Sequence, residues 1–430
     1  MRYTKLPREL FIHNRDKLSQ KLEPSSLALI FSAHQMPRNG DQYYPYRQNS
    51  DFFYLSGIEQ EKSVLLLCND EKAKDFQQIL FIIRPDKSLE TWEGKKLTPE
   101  AARDISGIKQ IKYIDDFELL LHALMAQVKN IYFNLPELPK FKPDVLTRDY
   151  SSYVKIKEQY PLHKYERLAP LICEMRLIKS KEEIEIIRKA CSITRDAFIK
   201  LLKELRPGMM EYEAEAIIGF EFTRKGAGGH AYQPIVASGR NANTLHYVVN
   251  NAECKSGDLL LLDFGAEYAN YAADLSRTIP VNGQFTKRQK ELYEATLRVF
   301  KFARSLMKPG TTIKNIHNDV CKMWEEEHIG LGLYSQKEAE SHKGENPLWY
   351  NYFMHGTGHF LGLDVHDLGT RETMLAPGMV LTCEPGLYIA EEGVGIRIEN
   401  NILVTETGNI DLMEDIPIEA EEIETLMRHQ

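Results

Sequence analysis

Four acidic residues sit in, or just after, two copies of one local pattern. Gly257-Asp-Leu-Leu-Leu-Leu-Asp263-Phe-Gly265 and Gly378-Met-Val-Leu-Thr-Cys-Glu384-Pro-Gly386 share a frame: a glycine, five mostly apolar residues, a carboxylate, one residue, a glycine. A further acid follows each copy, Asp274 in Ala-Ala-Asp-Leu-Ser and Glu399 in Arg-Ile-Glu-Asn. Any one of them read alone is a strand-end acid paired with a nearby arginine. Four at repeated spacing within apolar runs predict buried carboxylates, and an unpaired buried carboxylate costs several kcal/mol unless a cation or metal neutralises it.

Histidines gather in His355-Gly-Thr-Gly-His359-Phe-Leu-Gly-Leu-Asp364-Val-His366-Asp367, threaded by glycines that allow close backbone approach. Two more placements echo the repeat: His246 stands eleven residues before Gly257, and His366 twelve before Gly378. One imidazole with four carboxylates is a hard, oxygen-rich donor set, unlike the cysteine-rich or three-histidine sets that zinc prefers. Two divalent ions would balance four carboxylate charges. Such a centre holds a bridging water as hydroxide near neutral pH and clamps the charge that develops when it attacks a carbonyl or phosphoryl group. Asp364, Asp367 and His230 carry no role beyond shaping the site.

The elements that must position these groups repeat as well. Ser180-Lys-Glu-Glu183 is a capping box, and Ile184, Ile187, Cys191, Phe198, Leu201, Leu202 and Leu205 follow at helical steps until Arg206-Pro207-Gly208. A second amphipathic helix is predicted from Lys287 to Met307, ending in Lys308-Pro309-Gly310, and each Pro-Gly leads into another helical pattern, Glu211 to Phe222 and Ile313 to Glu326. The Pro-Gly pairs lie 102 residues apart and the strand glycines 121, so the second half carries about 19 extra residues, which the polar stretch from Leu331 to Tyr350 can supply. A period this long is no solenoid. It predicts two similar α/β halves around a common site.

Upstream, short apolar runs (Leu27 to Phe31, Val64 to Cys68, Ile79 to Ile83, Ile131 to Phe133) alternate with amphipathic stretches such as Phe117 to Val128, predicting a smaller α/β domain. Prolines at 136, 139, 143, 161 and 170 then predict a connecting region. The expected domains are 1–172 and 173–430.

The 430 residues allow two to four domains. Against 62 Asp and Glu stand 54 Lys and Arg, a net charge of −8 that argues against nucleic acid as a partner. Apolar runs are far shorter than the roughly 18 residues a membrane-spanning helix needs. The N-terminus is too polar for a secretory signal, and six scattered cysteines without a Cys-x-x-Cys pair fit a reducing cytoplasm.

With these residues in place, the chain resembles the pita-bread-fold metallopeptidases, and among them the aminopeptidase P (Xaa-Pro aminopeptidase) family. The likeness rests on Leu245-His246-Tyr247, Asp263-Phe-Gly265, Ala273-Asp274-Leu-Ser-Arg277-Thr278, the segment from His355 to Asp367, Glu384-Pro-Gly-Leu-Tyr388 and Gly395-Ile-Arg397-Ile-Glu399. In the N-terminal part it rests on Asn49-Ser-Asp-Phe-Phe-Tyr-Leu-Ser-Gly57 and Thr91-Trp92-Glu-Gly94. The resemblance implies an α/β creatinase-like prodomain ahead of a pita-bread catalytic domain, and hydrolysis of the bond between an N-terminal residue and a following proline. It implies that Asp263 binds one metal ion, that Asp274 and Glu399 bridge both, and that His359 and Glu384 complete the second ion. Manganese is the metal implied, with cobalt, iron or zinc able to substitute.

The same likeness casts His246 and His366 as groups that polarise the scissile carbonyl, Glu384 as general base, and His355 as lining the pocket beside the leaving proline. Tyr388 and Arg397 become hydrogen-bonding candidates that support the carboxylates and border the substrate. Peptides with proline second are the implied partners, and a homo-oligomer, dimer or tetramer, the implied state. Trp92 either packs in a core or walls the site of an adjacent subunit. Asn400 departs from the pattern, since many relatives carry an acid there. Two alternatives compete: a dipeptidase of the same class confined to Xaa-Pro (prolidase), and a non-catalytic peptide-binding protein on the same fold, which the complete donor set disfavours.

Overall fold

A computed structural model describes residues 2–70, 73, 76–138, 140, 145–342, 344 and 347–428. The chain divides into two compact units, Tyr3–Arg176 and Leu177–Gln430. The boundary expected at 172 falls inside the helix Ala169–Leu177.

The first unit is built on a six-stranded mixed sheet. Its strands run in the order Gln110–Tyr113, Gln78–Ile82, Val64–Asn69, Ser26–Phe31, Asn130–Phe133, Lys164–Arg167. All six residues of Ser26–Phe31 are buried, as a central strand covered on both faces requires, which is why it reads as an unbroken apolar run. Alternate residues Leu27, Leu29 and Phe31 pack with Phe117, Leu121 and Leu124 of the helix Phe117–Met125. Two motif segments form short helices. Ser50–Ser56 is capped by the Asn49 side chain, and Lys87–Glu93, capped by Asp86, buries none of its residues. Trp92 on the latter is 86% exposed, so it is not a core residue.

The proline-rich stretch is more than a connector. It contains the helix Arg148–Gln159 and the sheet's edge strand Lys164–Arg167, with Pro161 between them and Pro170 in the first turn of the next helix, where a missing N–H breaks no bond. Pro139 and Pro143 lie outside the described residues.

The second unit bears out the repeat. The helices Lys181–Glu204 and Lys287–Leu306 both begin with capping boxes, Ser180 with Glu183 and Thr286 with Gln289. Each is followed by a second helix, Glu211–Arg224 and Ile313–Gly330. A three-stranded sheet follows each helix pair, Ile235–Ser238 with Leu259–Phe264 and Leu275–Pro280 after the first, and Val380–Cys383 with Asn400–Val404 and Asn409–Asp411 after the second. The stretch from Leu331 to Tyr350 holds the helix Gln336–Ser341, and its Lys343, Glu345 and Asn346 lie outside the described residues.

Register explains the spacing of the acids. Asp263 faces Ser276 across one antiparallel pair and Cys383 faces Asn400 across the other, so each pair of strands brings its two acids to one end. The halves meet where Glu399 N donates to Ser276 O at 3.1 Å. The glycine closing each frame is a requirement of packing: a Cβ on Gly265 would sit 1.7 Å from the Ala273 carbonyl oxygen, and one on Gly386 2.8 Å from His355 Nε2.

Candidate metal centre

Asp274, His359 and Glu399 each present one donor atom within 4.8 Å of the others. His359 Nδ1–H donates to the Phe360 carbonyl (3.1 Å), which leaves the lone pair of Nε2 facing Asp274 Oδ2 at 3.4 Å and Glu384 Oε1 at 3.7 Å. A lone pair directed at two carboxylates needs a proton or a metal cation between them. Burial disfavours the imidazolium, yet the Asp274 hydrogen bond and the Glu384 charge outweigh it and push the His359 pKa up to about 9. Burial, reinforced by the charge of Asp274 and opposed by His359, pushes the Glu384 carboxyl up to about 7. Asp274 and Glu399 are raised as well, each by burial first. Three crowded acids that resist ionisation, with Asp263 beside them, form a site suited to divalent cations.

The fourth acid, Asp263, is tied to Arg397, whose Nη2 donates to Asp263 Oδ2 at 2.6 Å. The same guanidinium donates through Nε to Ser276 Oγ (2.8 Å) and through Nη1 to the Tyr388 hydroxyl (2.7 Å). Ser276 Oγ in turn donates to Glu399 Oε2 at 2.7 Å. Tyr388 passes its proton on: its hydroxyl lies 2.9 Å from His355 Nε2, while His355 Nδ1 donates to the Gly356 carbonyl at 2.8 Å. Burial, with Arg397 adding to it, pulls the His355 pKa down to about 3, so this ring is neutral and its Nε2 accepts. Arg397 and Tyr388 are both buried, and their donors are committed to protein groups beneath the carboxylates.

His246 and His366 are placed differently. Both are exposed: His246 on an irregular segment after the turn Gly239–Asn243, and His366 with its ring 4.2 Å from that of His359. His246 lies near enough to His355 for its charge to add, after burial, Arg397 and His317, to the lowering of that ring's pKa. Asp367 is turned away and forms a buried ion pair with Lys179 (3.1 Å), which anchors the chain next to His366. His230 packs on Phe222 with ring centres 4.9 Å apart.

Several site residues carry no legible signal in the sequence. Tyr232 donates to Asp263 Oδ1 at 2.6 Å and also touches Asp274 Oδ1. Thr382 accepts from the His359 amide (3.0 Å), and Asn401 holds the Asp274 backbone from both sides, donating to its carbonyl (2.7 Å) and accepting from its amide (3.1 Å). A hydroxyl or amide of this kind acquires meaning only from what it faces. Asn400 touches no site carboxylate. It accepts from buried Arg277 (2.8 Å) and donates to Asp411 (2.8 Å), so the acid that would pair with Arg277 is supplied one step further out.

Residues 185–406 match Metallopeptidase family M24, and residues 11–132 match the aminopeptidase P N-terminal domain. The chain belongs to metallopeptidase family M24. It is 37% identical to the Xaa-Pro aminopeptidase of Escherichia coli strain K12 across 99% of this chain and 98% of that protein. The solved Escherichia coli aminopeptidase P with the inhibitor Pro-Leu superposes with a TM-score of 0.88 at 36% identity, covering 99% of this chain and 100% of that one. A zinc-substituted Escherichia coli aminopeptidase P with product gives 0.87 at 36% identity, covering 99% of each. The family and two-domain architecture expected from the motifs are therefore borne out, and M24 membership makes this chain a divalent-metal peptidase. Among the described residues of this M24 chain, no helix is long and apolar enough to cross a membrane.

Proposed function

We propose that the chain is a Xaa-Pro aminopeptidase that hydrolyses the bond between an N-terminal residue and a following proline. The observation that carries this reading is the convergence of Asp263, Asp274, Glu384, Glu399 and His359 in a chain similar over its whole length to enzymes of that name. Two divalent ions fit those five donors: four carboxylates balance two doubly charged cations, and the oxygen-rich set suits manganese, with cobalt, iron or zinc as substitutes. Ions bound there supply a nucleophilic water at neutral pH and stabilise the charge that develops on the carbonyl oxygen.

The chain's own groups do the rest. Glu384 takes the water proton and delivers it to the proline nitrogen, as a carboxylate beside the reacting centre can do in both directions. The exposed imidazoles of His246 and His366 approach the carbonyl oxygen as it gains charge. His355, kept neutral, lines the place of the leaving proline. Arg397 and Tyr388 act from beneath, holding Asp263 and His355 in place rather than touching substrate. A cytoplasmic homo-oligomer, dimer or tetramer, completes the reading. The absence of any disulfide among the described residues supports the compartment, and the exposure of Trp92 supports self-association.

The test is digestion of a peptide library by the full-length protein with added manganese, reading product termini. Release of the first residue only where proline follows, from tripeptides and longer substrates, is the expected result. Cleavage confined to dipeptides would reassign the chain as a dipeptidase. Well under one ion per chain and no turnover would overturn the enzymatic reading.

A further inference from the structure

Glu211 opens the helix Glu211–Arg224, and its side chain is fully buried, 0% exposed. Its carboxylate receives four hydrogen bonds. Oε1 accepts from the Ser238 amide (2.7 Å) and from Asn241 Nδ2 (3.0 Å), and Oε2 accepts from the Tyr247 hydroxyl (2.8 Å) and the Ala252 amide (2.8 Å). A carboxylate with four donors is saturated, and charge-assisted bonds of this kind are the strong ones.

The placement of the donors gives this cluster its meaning. Ser238 ends the strand Ile235–Ser238, and Ala252 lies fourteen residues on, so Glu211 grips the segment 239–251 at both ends. Asn241 and Tyr247 lie inside it and are bonded to each other, with Asn241 Nδ2 also donating to the Tyr247 hydroxyl at 3.0 Å. The segment carries His246, which is exposed and makes no hydrogen bond to any described residue. With no partner of its own, the His246 ring takes its position from the chain on either side of it. Its neighbour Tyr247 is fastened directly to Glu211.

We propose that Glu211 is a positioning residue for His246: a buried carboxylate that fixes the ends and the middle of a loop so that an unsupported imidazole faces the scissile carbonyl. The inference rests on the carbonyl-facing role of His246 proposed above. Glu211 acts as an acceptor only and touches neither substrate nor metal. A one-ångström displacement of a catalytic group can cost about a hundredfold in rate, so such a clamp can govern turnover from outside the reacting centre.

The test is a double-mutant cycle on the manganese-loaded full-length protein with an Xaa-Pro-Xaa peptide, with metal content and thermal melting measured for every variant. Glu211→Gln keeps the size but turns an amide NH2 toward donors. It is expected to lower kcat/KM by about 10- to 100-fold at unchanged metal content, and by no more than about twofold when His246 is already alanine. If Glu211→Gln does not fold, Tyr247→Phe, which removes one donor, is expected to show a smaller loss with the same dependence on His246. Equal losses with and without His246, or no loss in either variant, would overturn the inference while leaving the role of His246 standing. Full activity in His246→Ala would overturn that role and the inference with it.

Discussion

Arg397 Nη2 lies 2.6 Å from Asp263 Oδ2 although 134 residues separate the two in the chain, and among the described residues it is the guanidinium bonded directly to the carboxylate cluster. Breaking a buried pair by removing one partner leaves the other charge uncompensated, at a cost of about 3–5 kcal/mol. Arg397→Ala should therefore lower the melting temperature of the metal-free protein strongly. It should do so much less with manganese bound, because a cation then compensates Asp263. Melting curves with and without metal decide it, and an equal shift in both would mean that the charge of Arg397 is not what matters.

Glu384 and Asp274 should separate by phenotype. Glu384→Gln removes a proton acceptor, and general-base catalysis is worth about 10²- to 10⁴-fold, so kcat should fall by at least that range while peptide binding persists. Asp274→Ala removes one of the three donors that lie within 4.8 Å of one another and should lose metal as well as activity. Metal analysis beside calorimetric peptide binding distinguishes the two. Normal turnover in Glu384→Gln would remove its assigned role.

Metal affinity should rise with pH. Coordination needs neutral His359, whose pKa in the metal-free protein is about 9, so each ion that binds through it below that pH must displace a proton. The expected dependence is about tenfold per pH unit between 7 and 9, and steeper below 7 where Glu384 is also protonated. The sign for folding is the reverse. A histidine raised from 6.5 stabilises the metal-free fold fully below 6.5, and that contribution is lost as pH rises through 9. Manganese titrations in buffers of different ionisation enthalpy count the released protons directly, and an affinity independent of pH would contradict the placement of His359.

The first unit has a pH dependence of its own. Asp149 is buried, accepts from the Phe31 amide at 3.3 Å, and is pushed up to about 8, chiefly by burial. It is protonated in the folded unit while the unfolded chain ionises near 3.8, so stability should fall as pH rises from about 4 to about 8 and then level off. Asp149→Asn keeps the acceptor without the charge. Its stability relative to the parent should improve across that range by several kcal/mol, on the order of 1.4 per pKa unit. Urea unfolding at pH 5 and pH 9 measures it, and a difference that does not change with pH would show that Asp149 stays ionised.

Much of the second unit was legible from order alone. Capping boxes, Pro-Gly stops and apolar periodicity are local signals, and the helices Lys181–Glu204 and Lys287–Leu306 follow them closely. The proline-rich stretch misled because prolines that delimit elements look, in sequence, like prolines that forbid them. Pro161 and Pro170 flank a helix and a strand instead of breaking either.

For the site the division is physical. The acids and their repeated frame are properties of residue type and spacing, so an oxygen-rich set of candidate ligands for hard cations could be read from the sequence by itself, whereas the choice of His359 among the clustered histidines came from the family resemblance. The charge state of each donor depends on through-space distance and desolvation, which no spacing encodes. Only the folded chain brings Ser276 to Glu399, Tyr232 to Asp263 and Glu211 to the loop of His246. Strand register and burial decide those contacts, because a hydroxyl or carboxylate becomes part of a site through the groups it faces once water has been excluded.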